Sequence, residues 1–142
     1  MDQSANQKIN KLRVEELLDL SKNYASGPKI LLRIQTKTAD YTCTQADSGT
    51  IFTTYGDTGA ITFTLPTSPT KGWFALFFQS VDQDITITNA TVDTLITYND
   101  LAADGVAAST TSHQIGAFFL VFADGNVFNA VNLGGHTLTV NT

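Results

Sequence analysis

An uncharged apolar run near the end of the chain, residues 115–123, constrains the fold more than any other stretch. It is too short to cross a bilayer, which takes about 20 apolar residues, and a continuous apolar strand is typical of burial on both faces. Asp124-Gly125 follows, and a second apolar stretch begins at Val127. Because Asp and Gly tolerate the positive φ angles of a tight turn, the sequence predicts a central antiparallel hairpin of residues 114–123 and 127–132.

The rest of the chain from residue 29 onward is rich in Thr, Ile, Val and Phe, with turn residues about every 8–12 positions. This pattern predicts a mainly β, antiparallel, sandwich-like or jelly-roll-like domain. Further strands are predicted at residues 29–35, 40–43, 50–54, 60–65, 72–79, 84–89, 94–98 and 136–140, and the longest loop at residues 99–112. Alternation in two of these strands places one apolar set inward and the intervening threonines outward. That inward set is Ile61, Phe63, Leu65, Ile85 and Ile87.

Residues 1–28 have a different pattern, which predicts a helical arm in front of a β domain at residues 29–142. Ser4 and Gln7 have the spacing of a capping box, and Gly27-Pro28 is a stop signal. Between them, most apolar residues fall on one side of a helix. An isolated helix of this length is marginal in water, so it must pack on the β domain, on copies of itself or on a partner.

Charge is divided unevenly along the chain. Residues 1–37 hold seven basic and four acidic residues, whereas residues 38–142 hold one basic residue, Lys71, and nine acidic ones. An acidic domain disfavours nucleic-acid binding, which needs a basic surface. The asymmetry suggests that the N-terminal part docks on something acidic, although a solvated basic helix face explains it equally well. No secretory signal or membrane-spanning segment is recognisable, and a single cysteine, Cys43, excludes an intrachain disulfide.

Residues with catalytic or ligand-binding chemistry are scattered, which predicts a protein that is not an enzyme and needs no cofactor or metal. His113 and His136 lie far apart in sequence and have no evident partner. Asp82 and Asp84 would supply only part of the oxygen shell of a calcium ion. Trp73 and Tyr55 could stack on a sugar, as in a receptor-binding tip, but core or interface packing is favoured, because Trp73 begins an apolar run.

Several segments read together resemble a β module of tailed-bacteriophage virions. They are Asp40-Tyr-Thr-Cys-Thr-Gln-Ala-Asp-Ser-Gly49, Ile51-Phe52, Thr58-Gly-Ala-Ile-Thr-Phe-Thr-Leu-Pro66 and Gly72, continued by Asp84-Ile-Thr-Ile87, Ile115-Gly116 and Ala123-Asp-Gly125. The similarity extends over residues 29–140. Proteins with this module are head-decoration (cement), head-fibre or tail-fibre components and are often homotrimers. The resemblance therefore implies a structural virion protein, assembled in the host cytoplasm.

A short chain with an arm and one such domain looks most like a capsid decoration protein that stabilises the head shell as a homotrimer. The alternative is a tail-fibre or receptor-binding module that contacts host glycan, and a hydrolase fits only with an unrecognised site. The expected partners are other copies and the major capsid protein. The residues expected to anchor the arm are Lys8, Lys11, Leu12, Arg13, Leu17, Leu20, Lys22 and Tyr24. The apolar runs at residues 73–78 and 115–123 carry more apolar side chains than one sheet face can bury. This surplus predicts a subunit interface at Trp73, Phe77, Phe118, Leu120 and Phe122.

Overall fold

A computed structural model describes residues 32–108, 115–134 and 138–142, and these form two β-sheets. The strands are β1 (Arg33–Thr36), β2 (Tyr41–Thr42), β3 (Thr50–Thr53), β4 (Ile61–Thr64), β5 (Phe74–Phe78), β6 (Ile85–Thr88), β7 (Leu95–Thr97), β8 (Asp100–Ala103), β9 (Gly105–Ala108), β10 (Phe118–Ala123), β11 (Phe128–Asn132) and β12 (Leu138–Asn141). A seven-stranded sheet has the order β1-β3-β5-β10-β11-β7-β8, and a five-stranded sheet has the order β12-β9-β6-β4-β2. The prediction of a mainly β, sandwich-like domain is confirmed.

The prediction of an antiparallel domain is wrong, because both sheets are mixed. From β1 to β6 the chain alternates between the sheets, so that β1, β3 and β5 pair in parallel in one sheet and β2, β4 and β6 in the other. The intervening turns are corners from one sheet to the other and not hairpins. Alternation of apolar and polar residues is the same in parallel and antiparallel strands, so the pattern that located these strands carried no information on their direction.

Hairpins occur in the second half of the chain. β10 and β11 form the predicted antiparallel hairpin, with Ala123 opposite Phe128. Its turn has Gly125 at a φ of 106°, and the Asp124 Oδ1 atom accepts the backbone N–H groups of Asn126 at 2.8 Å and Val127 at 3.1 Å. These hydrogen bonds stabilise the ionised carboxylate and lower the pKa of Asp124.

The predicted loop at residues 99–112 is wrong over its described part, which forms β8 and β9. β9 is built of small residues, all buried, and pairs with β6 and β12. Alanine and glycine are depleted in strands, so composition favoured a loop here. Close packing explains their presence, because a Cβ atom added to Gly105 would lie 2.7 Å from the Ile87 carbonyl oxygen of the neighbouring strand.

One core of apolar side chains lies between the two sheets. The inward set predicted from alternation is confirmed, since Ile61, Phe63, Leu65, Ile85 and Ile87 are all buried. Phe52 and Phe77 from the seven-stranded sheet meet Phe63 from the other sheet, with ring centroids 5.0–5.4 Å apart. Aromatic pairs at such distances are favourable beyond the area they bury, so this triad joins the two sheets at their centre.

The predicted helical arm, and with it the boundary between residues 28 and 29, lies outside the described residues. In the described part of the chain, no helix is long and apolar enough to span a membrane.

Candidate interaction face

The side of the seven-stranded sheet that faces away from the core carries an unbroken apolar row. In register across five strands, Ile34 lies opposite Ile51, Ile51 opposite Leu76, Leu76 opposite Leu120, and Leu120 opposite Val131. Ile34 is 66% exposed and Val131 43%, while the three residues between them are half-buried. The row exists because β1, β3, β5, β10 and β11 each place an aliphatic residue at the same height.

Two further rows flank it. On one side Phe74, Phe122, Asn129 and Ile96 are in register, and on the other side Thr36, Thr53, Phe78 and Phe118. The rings of Phe78 and Phe118 pack edge to face with centroids 5.8 Å apart. We call these three rows the outer face. Its residues are Ile34, Thr36, Ile51, Thr53, Phe74, Leu76, Phe78, Ile96, Phe118, Leu120, Phe122, Asn129 and Val131.

The outer face has the size and chemistry of a contact surface. Five strands about 4.8 Å apart and three rows about 7 Å apart cover roughly 500 Å² of the sheet plane. The largest apolar patch of a typical monomer is about 300–600 Å² and is often a binding site. None of the outer-face residues is charged, although residues 38–142 carry nine acidic residues and one basic one. The charged residues of the domain therefore lie outside the outer face.

The structure divides the five predicted interface residues between two places. Phe118, Leu120 and Phe122 lie on the outer face, and Phe122 is 39% exposed. Trp73 and Phe77 are instead buried in the core of the single chain, so they are not available to a partner. The Trp73 ring packs edge to face on Phe128, and its indole N–H donates to the Thr44 carbonyl oxygen.

A buried carboxylate anchors the edge of the sheet next to this face. Asp47 is the last residue of a short 3₁₀ turn, Gln45–Asp47, and is 4% exposed. Its Oδ2 atom accepts hydrogen bonds from the Thr44 backbone N–H (2.8 Å), the Thr44 hydroxyl (2.9 Å) and the Tyr41 hydroxyl (3.1 Å). Its Oδ1 atom lies 3.2 Å from Arg33 Nη2. The same guanidinium group also donates to Thr50 Oγ1 and the Ala46 carbonyl oxygen, so β1 is tied to the turn before β3.

Burial alone would raise the pKa of the Asp47 carboxyl, but the hydrogen bonds from Thr44 and Tyr41 and the positive charge of Arg33 outweigh it. The pKa of Asp47 is therefore lowered. Next to this cluster, the Lys37 ammonium lies 3.4 Å from the centre of the Tyr41 ring, a cation–π contact. The polar groups of the cluster pair with one another. The cluster therefore holds β1 against the turn at residues 44–49 and acts as an internal brace.

Within the described part of the chain, the remaining residues with chemistry lie at separate places. Burial raises the pKa of the Cys43 thiol to about 12, so little reactive thiolate forms near neutral pH. Among residues 32–108, 115–134 and 138–142, no three His, Cys, Asp or Glu side chains are placed to hold a metal ion. His113, His136 and the predicted anchoring residues of the arm lie outside the described residues. Tyr55 lies on a turn and is 75% exposed.

The outer face was only partly visible in the sequence. Ile34 and Val131 stand between polar or small neighbours, whereas Ile51 and Leu76 are each followed by a phenylalanine, so alternation marks the outer side only at the first two. The chain matches no protein-family model and no curated protein.

Proposed function

We propose that the protein is a structural component of a tailed-phage virion, a decoration protein that binds the head shell as a homotrimer. The observation that carries the proposal is the outer face, an uncharged apolar surface five strands wide on an acidic domain. A second copy matches such a surface in both chemistry and charge. A homotrimer requires a heterologous contact, in which the outer face of one copy meets a different patch of the next copy around a closed ring.

The basic N-terminal segment supplies the second part of the proposal. Lys8, Lys11, Arg13 and Lys22 would steer the segment to an acidic surface of the major capsid protein, and its apolar residues would bury area there. A ligand that binds only the assembled shell stabilises it by RT ln(1 + [L]/Kd), so decoration strengthens the particle by mass action. Association of three copies adds avidity, because the second and third segments then bind at high effective concentration.

The test is a capsid-binding assay with expanded, undecorated heads of the phage that encodes the chain. Deletion of residues 1–26 should abolish co-sedimentation with the heads, while the circular dichroism of the β domain is retained. Replacement of Lys8, Lys11 and Arg13 by Gln should weaken binding and reduce its salt dependence. Lys71→Gln, which removes one positive charge from the β domain, is the matched control. Binding that survives the deletion would refute anchoring through the arm.

A receptor-binding module is the second candidate, and exposed tyrosines on two turns favour it. Tyr55 follows β3 and Tyr98 follows β7, and these strands run in the same direction, so both tyrosines lie at the same end of the seven-stranded sheet. They are 75% and 81% exposed. Glycan-array binding by the wild-type chain that is lost in Tyr55→Ala would favour this candidate over decoration.

A further inference from the structure

A shallow cleft of about 300 Å³ opens at the opposite end of the seven-stranded sheet from Tyr55, where β3 and β5 begin. This volume is at the lower end of the range for ligand-binding pockets, and suits a ligand with the size of one sugar ring. The residues that line the cleft are Gln45, Ser48, Thr70, Lys71, Gly72 and Trp73.

The walls of the cleft are held in place by hydrogen bonds. The Trp73 indole N–H donates to the Thr44 carbonyl oxygen at 3.1 Å, and the Gly72 N–H donates to the Ala123 carbonyl oxygen at 3.0 Å. Gly72 has a φ of 86°, and an added Cβ atom there would meet no atom within 4 Å. The left-handed backbone conformation, which favours glycine, therefore accounts for the residue at this position.

The polar groups in the cleft suit a polyhydroxylated ligand. Ser48 Oγ accepts the Phe74 backbone N–H at 3.3 Å, which leaves the Ser48 hydroxyl proton to donate. The Gln45 amide nitrogen donates to the Ser68 carbonyl oxygen at 2.7 Å, which leaves the amide oxygen to accept. With the Thr70 hydroxyl, the cleft offers both donors and acceptors, as neighbouring hydroxyl groups of a sugar require.

Charge selects the class of sugar. Lys71 is the one basic residue in residues 38–142, and within the described part of the chain its ammonium group forms no ion pair. None of the residues that line the cleft is acidic, although the domain is strongly so. An ammonium group among hydroxyl and amide groups favours a ligand with one carboxylate, which forms a charge-assisted hydrogen bond with it.

We propose that this cleft binds a sugar that carries a carboxylate, of the hexuronic acid class. Lys71 would contact the carboxylate, and Ser48, Thr70 and Gln45 would contact the ring hydroxyls. The residues of the cleft are not residues of the outer face, and the proposal does not depend on the proposed role in the virion.

The test is a titration of the full-length, ¹⁵N-labelled chain with sodium glucuronate, followed by the Gly72 amide and the Trp73 indole N–H signals. Saturable shifts confined to the residues of the cleft are expected, with glucose and acetate each at least tenfold weaker, about 1.4 kcal/mol. Lys71→Gln should weaken glucuronate binding at least tenfold. Lys8→Gln, which removes the same charge from the N-terminal segment, should bind like the wild type.

Three outcomes would overturn the proposal. The first is no saturable shift at a concentration of glucuronate that reveals a millimolar Kd. The second is equal binding of glucose, which would remove the role of Lys71. The third is equal binding of acetate, which would remove the role of the hydroxyl groups. Unchanged spectra of Lys71→Gln outside the cleft will show that the variant is folded.

Discussion

Leu76 and Leu120 lie directly opposite each other on β5 and β10, at the middle of the outer face, and neither is buried in the single chain. Their neighbours along the same strands, Phe77 and Phe119, also form a pair but point into the core. This antiparallel pair of strands therefore presents hydrophobic residues on both sides, one set to the interior and the other to the outer face.

Leu120→Glu should shift the protein from oligomer to monomer in sedimentation velocity, because a buried carboxylate at the centre of the outer face has no cation to pair with it. Thr86→Glu is the matched control. Thr86 points outward from the five-stranded sheet, and the substitution adds the same charge. The control should sediment as the wild type does. A wild-type chain that is a monomer at all accessible concentrations would contradict self-association through this face.

Phe77→Ala and Phe122→Ala should separate folding from association, although sequence analysis placed both residues in one interface. Phe77 is fully buried against Phe52 and Phe63, so its truncation should lower the free energy of unfolding by about 3–5 kcal/mol. Phe122→Ala should leave the unfolding of the monomer nearly unchanged and weaken association. Urea unfolding at low protein concentration measures the first effect and sedimentation the second. A larger stability loss for Phe122→Ala would reverse the assignment.

Asp47→Asn should destabilise the domain by about 1.5–3 kcal/mol, because it weakens charged hydrogen bonds to a buried group. The lowered pKa of Asp47 also predicts a pH dependence. A carboxylate with a depressed folded-state pKa stabilises the fold above its ordinary value near 4, and this contribution is lost as the pH falls through the folded-state value. The acid-unfolding curve of Asp47→Asn should therefore be flatter below about pH 4 than that of the wild type.

The control for this pH effect is Asp82→Asn, which removes an exposed carboxylate from a turn and should leave the acid-unfolding curve unchanged. Identical curves for the wild type and Asp47→Asn would show that the brace around Asp47 contributes nothing to acid stability.

Gly105→Ala should destabilise the domain by about 1–3 kcal/mol, because the new methyl group would overlap the Ile87 carbonyl oxygen on the neighbouring strand. Gly59→Ala is the matched control, since its added Cβ atom would meet nothing within 4 Å and its φ is not in the left-handed region. That variant should be neutral or slightly stabilising, because alanine restricts the unfolded chain. The measurement is the melting temperature of each variant in thermal unfolding. Equal melting temperatures for the two variants would argue against close packing of β6 on β9.

The sequence was informative where alternation was clean and uninformative where it was not. Ile61, Phe63 and Leu65 were placed inward correctly, because threonines separate them. In the unbroken runs around Phe77 and Phe118 no polar residue marks the outer side. The register pairs Phe78 with Phe118 and Phe77 with Phe119. Only this register shows which phenylalanines face the core and which lie on the outer face.

Direction and long-range contacts were beyond what local patterns contain. The parallel pairing of β1 with β3 and of β2 with β4 depends on how the chain crosses between sheets, which no residue pattern specified. The brace between Arg33 and Asp47 likewise joins residues far apart in sequence, and only the fold brings them within 3.2 Å. The cleft beside Lys71 was missed for the same reason, although the isolation of this lysine in an acidic stretch was a usable signal.

The alternation of the first six strands between two sheets has a consequence for synthesis of the chain. None of these strands pairs with its immediate successor, so each pair can form only after a strand of the other sheet has been synthesised, as β5 pairs with β3 only after β4. β10 pairs with both β5 and β11 and so joins the early strands of the seven-stranded sheet to the late ones. Truncated chains that stop before residue 118 lack both β10 and β11 and should therefore remain unfolded.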